Sequence, residues 1–415
     1  MSRRAVFVCC DGLGRDWVRP GKTPVLERLK ERGAWCEDHR GVFPSVTRVS
    51  AASIATGCLP ARHGLQGNRM GLLEGDRIVV RDVGAPDFRI HLRRVTGGTL
   101  RMPTLAERVA GAGGCIAYSN VSPGAAYFLD PDNHGHVHHR DGSFAPGGRP
   151  LDALEVTHDA AGDWAMTERF CEDVLGSARP AVAMLWLCDP DHTLHGVPLG
   201  SPDHDEALRG AERCVEAVVR AVDRLRAAGD DILLMVGSDH GHETIGDVID
   251  VEAWLSANGL ADLVASGDVA VAGQGTSALL YATGRGRERL LGVLDAVAQA
   301  PWAGEVLTES GLAAAGFAAR DGVVAAVDMA RDPAPNPFGV AGRRWVAYEG
   351  KPVPVGSGQH GGCGPDETRP FLLVDDGCGA GRITRPTSLV DIAPTMARHL
   401  GLSLDGFDGK PLGRS

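Results

Sequence analysis

The sequence predicts an α/β protein: a doubly wound, mostly parallel sheet carrying an inserted α+β cap. Three observations lead there. Short runs along the chain are apolar on both faces rather than alternating, and amphipathic helical stretches separate them. Between residues 256 and 355 that rhythm changes to short strand, helix, short strand, and afterwards it resumes.

The first run, AVFVCC at Ala5–Cys10, is followed by a helical TPVLERLKERG. TLAERVAGAGG precedes the second run, GCIAYS at Gly114–Ser119. Residues 70–150 are expected to be a substrate-side hairpin and lid loops. A Gly-, Arg- and Asp-rich stretch from about residue 71 to 103 reads as a hairpin over the sheet edge, and the histidine-rich tract Asp132–Gly142 as a flexible lid loop. The run AVAMLWLC at Ala181–Cys188 precedes a long amphipathic helix, opened by Ser201 and stopped at Gly229. DILLMVG at Asp231–Gly237 follows it. FLLVDD at Phe371–Asp376 comes only after the cap and its Pro/Gly-rich connector RDPAPNPFGVAGRR. Residues 1–255 and 356–415 are thus expected to form the core, and residues 256–355 the cap.

The formal net charge is −11 over 415 residues, with no dense Lys/Arg block, which argues against a nucleic-acid polymer as partner. A small anion remains compatible, because a bound metal ion reverses the local field. No run approaches the roughly 18 apolar residues that span a membrane. The opening MSRRAVFVCCDG has too short an apolar stretch for a signal peptide, so a cytoplasmic location is expected. The ten cysteines contain no CxxC pair and read as small buried apolar residues. Monomer and homodimer both stay open.

Chemistry-bearing residues cluster at the strand ends: Asp11 after the first run, DPDHTLHG at Asp189–Gly196, SDHGHE at Ser238–Glu243, and GSGQHGG at Gly356–Gly362. Open α/β sheets bind ligands at the carboxyl ends of their strands. Asp11, Asp239 and His240 suit one divalent cation; Asp191, His195 and His360 suit a second, and the donor set favours zinc. Two cations about 3.5–4 Å apart hold the entering and leaving oxygens of an in-line displacement at phosphorus. Asp189 is a competing ligand with less suitable spacing. His192 reads as a solvated loop residue, His63 as a structural turn residue, and His242 as a neighbour of the ligands or a surface residue.

Within GVFPSVTRVSAASIATGCLPARHG, Thr47 stands at the start of a helical stretch, where free backbone N–H groups favour an anion. A threonine hydroxyl is a poor nucleophile, and metal coordination is one way to activate it. Thr47 is therefore the expected nucleophile.

Taken in order, Asp11, FPSVT, IATGCLPARHG, DPDHTLH, SDHG and GQHGG resemble the alkaline phosphatase superfamily. The branch they resemble is the nucleotide pyrophosphatase/phosphodiesterase family, which includes phosphonoacetate hydrolase. The resemblance covers most of residues 5–69, 180–250 and 356–410. It implies an alkaline-phosphatase-like core, two divalent ions of the Zn2+ type, and a covalent phospho-threonine intermediate at Thr47 that water then hydrolyses. One ion would be held by Asp11, Thr47, Asp239 and His240, the other by Asp191, His195 and His360. Where the family places asparagine three residues beyond the nucleophile, this chain has Ser50, and Arg48 adjoins Thr47. Ser50 is expected to donate to one phosphoryl oxygen and Arg48 to clamp another. Asn68 and Asn120, with Tyr127 and Arg140, are further candidate substrate contacts. The lysines that the phosphonoacetate enzymes use after the second strand are absent here. The expected substrate is accordingly a small anionic phosphodiester or pyrophosphate, with cleavage of a phosphonate P–C bond as the alternative.

Overall fold

A strand that is apolar on both faces needs cover on both faces, and the fold supplies it. In the computed structural model, which describes residues 3–413, five of the expected runs are strands of one ten-stranded sheet. They are β1 (Arg3–Cys10), β2 (Cys115–Ser119), β3 (Val182–Leu187), β4 (Asp231–Gly237) and β5 (Leu372–Asp375). The order β4-β1-β3-β2 is parallel throughout. Along β1, Ala5, Phe7 and Cys9 enter one apolar core, shared with Val49 and Ile54 of helix α1 (Thr47–Thr56). The alternate residues Val6, Val8 and Cys10 enter another, shared with Leu208, Val215, Val218 and Val222 of helix α2 (Pro202–Ala227). Ser201 caps α2 by accepting the His204 N–H at 3.3 Å.

Three features differ from expectation. β5 runs antiparallel to β4. The chain comes back from the cap at the functional end of the sheet, where His360 lies, so the strand that follows has to lead away from that end. The tract Asp132–Gly142 is not a free lid. His136–His138 pairs parallel to β2, and Ser143–Ala145 and Arg149–Leu151 extend the same sheet. Val137 between two histidines supplies the buried face, and His139 is buried against the Val121 carbonyl at 2.8 Å. The hairpin is present as Arg69–Glu74 and Arg77–Asp82, but it packs on the inserted segment rather than over the sheet edge. Ile78 donates its N–H to the Gly267 carbonyl at 2.8 Å and shares an apolar cluster with Tyr281.

Between residues 256 and 355 an antiparallel sheet orders Val269–Gly273, Ser277–Ala282, Val323–Met329 and Ala303–Leu307. Helix Arg287–Ala298 covers it through Leu290, Leu294 and Val297. The Pro/Gly-rich connector is a hairpin, Arg331–Pro335 and Ala341–Ala347. Its second strand pairs with Glu243–Ile249, the strand that leaves His242, so the inserted segment is joined to the functional edge by a backbone ladder. No described helix is long and apolar enough to cross a membrane.

Candidate metal centre and nucleophile

The strand ends deliver two groups of ligand-type side chains. Asp11 follows β1; Asp239 and His240 follow β4; the ligand atoms of these three lie within 4.8 Å of one another. Asp191 opens a one-turn helix after β3, with His195 at its end, and His360 arrives on the returning chain. With these three stands His242, all four ligand atoms again within 4.8 Å. The sequence reading left His242 among the neighbours or on the surface. The structure buries it, with its Nε2 2.9 Å from Asp191 Oδ1. Asp189 stays out of both groups and accepts the Thr193 N–H at 3.0 Å. His63 is buried between the Ser53 hydroxyl and the Leu65 N–H, as a structural histidine should be. The exposed His192 ring lies against His158.

Each carboxylate of the first group has one oxygen satisfied and one left over. Trp186 Nε1 donates to Asp11 Oδ2 at 2.9 Å, and the Gly12 N–H donates to Asp239 Oδ1 at 3.1 Å. Asp11 Oδ1 and Asp239 Oδ2 have no hydrogen-bond partner, though both lie near His240 Nε2, at 3.4 and 3.2 Å. In the second group, Asp191 Oδ1 and His242 Nε2 are likewise buried without a hydrogen bond. His195 Nε2 and His360 Nε2 stand 3.3 and 3.4 Å from the same Asp191 oxygen. The imidazoles are aimed from behind by backbone carbonyls. Nδ1 of His240 meets Gly241 O at 3.1 Å, His242 meets Gly12 O at 3.1 Å, and His360 meets Ser45 O at 2.7 Å. Such contacts place the proton on Nδ1 and leave the Nε2 lone pair facing the centre. Gly12, at φ +68°, is required here: a Cβ would lie 2.3 Å from His242 Cε1 and 2.9 Å from Asp191 Cβ.

Buried polar atoms are normally satisfied, so a convergence of unsatisfied ones asks for an occupant. The electrostatics name its sign. Burial, reinforced by neighbouring carboxylates, pushes Asp239 up to about 8 and Asp11 well above the usual carboxylate range. Burial also opposes a charge on Asp191, yet His195, His242 and His360 together hold its carboxyl well below that range. Burial keeps His240 and His242 neutral. Carboxylates crowded together with neutral imidazoles are short of positive charge, and the mixed oxygen and nitrogen donors fit divalent cations of the zinc type. The two groups adjoin: the His240 and His360 rings stack with centroids 3.6 Å apart.

Thr47 is the first residue of α1, after Val46 in extended conformation. Its Oγ1 lies 3.2 Å from His240 Nε2, which brings the expected nucleophile to the first group. Ser45 and Ser50 do otherwise. The Ser45 hydroxyl donates to Gly362 O at 2.9 Å, and the fully buried Ser50 turns its hydroxyl to Asp239 O at 3.5 Å. Ser50 therefore braces the strand-end loop and has no free donor for a phosphoryl oxygen. Asn120 is also fully buried. Its amide donates to Thr157 O and Asp163 Oδ1 and its oxygen accepts from Arg140, while Tyr127 donates to Gly142 O. These three are interior contacts rather than substrate contacts. Asn68 and Arg48 stay beside the nucleophile. The Arg48 N–H donates to Asn68 Oδ1 at 3.4 Å, Asn68 Nδ2 has no protein partner among the described residues, and the buried Arg48 Nε has none either.

A support invisible to motif reading is Glu367. Buried completely, its carboxylate accepts the Gly362 and Gly364 N–H groups at 2.9 Å each, the Ser45 hydroxyl at 3.3 Å, and the Thr276 hydroxyl. Ser45 in turn orients His360 through its carbonyl. One carboxylate thus joins the His360 loop, the turn before Thr47 and Thr276 of the inserted segment. Partners that orient a ligand from outside typically affect metal affinity about 10–100-fold. Glu367→Gln should weaken divalent-cation binding by about 10-fold or more, read by chelator competition, with secondary structure unchanged. Unaltered affinity would show that His360 is held by other means.

The model of a protein family described as type I phosphodiesterase/nucleotide pyrophosphatase matches residues 5–301 of the chain. No curated protein sequence matches it. Among solved structures, murine ectonucleotide pyrophosphatase/phosphodiesterase 5 superposes with a TM-score of 0.70 at 16% identity, covering 98% of this chain and 97% of that one. An inactive threonine-to-alanine form of the murine protein, in complex with AMP, gives 0.70 at 15% identity, covering 99% and 98%. The human protein gives 0.68 at 14% identity, covering 98% and 97%. At these identities the structural likeness speaks for the fold.

Proposed function

The chain belongs to the type I phosphodiesterase/nucleotide pyrophosphatase family of phosphoester hydrolases, and from that premise we propose that it cleaves small phosphodiesters or pyrophosphates through a phospho-threonine at Thr47, with two zinc ions bound. The observation that carries the reading is the Thr47 hydroxyl at a helix start, beside His240 of the first of two groups of ligand-type side chains with unsatisfied buried atoms. Asp11, Asp239, His240 and Thr47 would hold one ion; Asp191, His195, His242 and His360 would hold the other. Bound there, the ions lower the pKa of the Thr47 hydroxyl and neutralise charge developing on the phosphoryl oxygens.

The chain's own part is positioning. Thr47 Oγ1 forms the bond to phosphorus while the bond from phosphorus to the leaving oxygen breaks; water later cleaves the Thr47 ester and restores the hydroxyl. The first turn of α1 directs backbone N–H groups at the incoming anion. The Asn68 amide is held by the Arg48 N–H, which leaves its Nδ2 to bind a non-bridging oxygen. Arg48 adds a nearby positive charge whose Nε lacks a protein partner. The AMP complex of the murine relative supports a nucleotide-type substrate.

The test uses bis-p-nitrophenyl phosphate, p-nitrophenyl phosphate and phosphonoacetate, each with zinc and with chelator. Turnover of the diester, lost on chelation and restored by zinc, is expected. Selective turnover of phosphonoacetate would assign the broken bond as P–C. No turnover of any of them, with two equivalents of zinc bound, would leave a metal-binding protein without this chemistry.

A further inference from the structure

The connector hairpin plays no part in that chemistry, yet it forms one wall of a cavity of about 430 Å3. The cavity lies between the segment after β1, the turn before α2 and the hairpin tip, and its inner wall includes His242 rather than Thr47. The hairpin wall is fastened in place. Buried Asn336 donates to Leu199 O at 2.8 Å and to the Thr244 hydroxyl at 3.3 Å, and its oxygen accepts the Phe338 and Val340 N–H groups at 2.9 and 3.0 Å. The tip so pinned presents Phe338, 47% exposed. Across from it stands Trp17, in T-shaped contact with His204 at 4.3 Å between ring centres, with the Arg19 guanidinium over its ring, 5.0 Å from the centre. Between the two rings is Gly200, at φ +82°. A Cβ there would meet Val340 Cγ2 at 3.0 Å, Phe338 Cβ at 3.3 Å and Trp17 Cη2 at 3.6 Å. Glycine keeps the floor of the cavity open.

The charge is as specific as the shape. In a chain of net charge −11, the lining includes five cationic residues and two acidic ones, of which Arg15 turns its guanidinium to the Glu37 carbonyl and the Trp35 ring. Two of the cations are paired: Lys22 with Asp205, and Arg331 with Glu243 and Asp366. The guanidinium of Arg369 makes no hydrogen bond or close ion pair among the described residues, its charge acting at longer range on Asp366, and that of Arg19 rests on Trp17 without a carboxylate. A volume of about 300–1,000 Å3 is the usual range for a small-molecule site. Aromatic faces favour a planar ring, and a free guanidinium favours a carboxylate or phosphate. A ligand that is both planar and anionic satisfies both walls at once.

We propose that this cavity binds a planar aromatic anion of the nucleoside monophosphate class, at a site that adjoins the second metal group through His242 but does not include Thr47. The probe is AMP, titrated calorimetrically into the zinc-loaded protein, its Phe338→Ala and Arg369→Gln variants, and Thr47→Ala. The expected result is an AMP site that each cavity variant weakens tenfold or more. Thr47→Ala leaves that site intact, and adenosine (no charge) and ribose 5-phosphate (no ring) fill it at least tenfold less tightly. Turnover of bis-p-nitrophenyl phosphate stays unchanged in the two cavity variants. The absence of any AMP site with that sensitivity to Phe338 and Arg369 overturns the proposal. The hydrolysis assay stands or falls separately, because neither residue touches the Thr47 centre.

Discussion

Thr47→Ala is expected to lower turnover of bis-p-nitrophenyl phosphate by about 10^3-fold or more, the scale seen when a covalent nucleophile is removed, while two equivalents of zinc stay bound. Three hydroxyl residues cluster at this turn, and only one is placed for the role. Ser45 is tied to Gly362 and Glu367, and Ser50 to Asp239, whereas the Thr47 hydroxyl meets the Nε2 of a candidate ligand. Alanine removes a hydroxyl and one methyl from the first helical position, where helix propensity favours alanine, so the fold should persist. The groups of three and four carboxylate and imidazole ligands remain complete without it. Quenching the wild-type reaction in acid should trap a p-nitrophenyl phosphoryl group on the peptide containing Thr47, and the variant should trap none. Activity within tenfold of wild type, or that group trapped elsewhere, would move the nucleophile to another residue.

The core was legible in the sequence because its strands are buried on both faces, and a continuous apolar run is hard to place anywhere else. The direction of β5 was not legible, since its composition is the same whichever way it runs; the route of the chain past His360 decides it. The tract 132–142 was misread for a related reason. Its histidines suggest a polar loop, but Val137 buries one face and backbone pairing with β2 does not depend on side-chain polarity.

Five of the ligand-type residues were readable from their positions after strands, and His360 from the Gly-rich stretch ahead of the run FLLVDD. His242 was read only as a neighbour of the ligands or a surface residue because it stands two residues beyond His240, just ahead of the strand Glu243–Ile249, and only the bare backbone of Gly12 admits its ring. Ser50 and Asn120 carry the right functional groups in the right stretches. Their hydrogen bonds are taken up by Asp239, Thr157 and Asp163, which spacing could not disclose. Glu367 had no signal at all, because its role comes from contacts with residues far away in the chain.

Asp191→Asn is expected to reduce bound zinc from two equivalents to one and to lower diester turnover by about 100-fold or more, since outer-sphere substitutions alone reach that range. A single oxygen, Asp191 Oδ1, lies within 3.4 Å of the Nε2 atoms of His195, His242 and His360. It is the only carboxylate in that group of four. Asparagine keeps the shape, so the three imidazoles stay in place, but it withdraws the one carboxylate that faces a divalent cation in this group. Ligand binding to the folded state stabilises by an amount set by affinity. The rise in Tm produced by zinc should therefore shrink in the variant, while the Tm of the chelated protein stays close to wild type. Asp239→Asn should act on the other group and lose a different equivalent, and the doubly substituted protein should bind none. If Asp191→Asn instead retains both equivalents and turns over within tenfold of wild type, these three histidines do not share a metal ion.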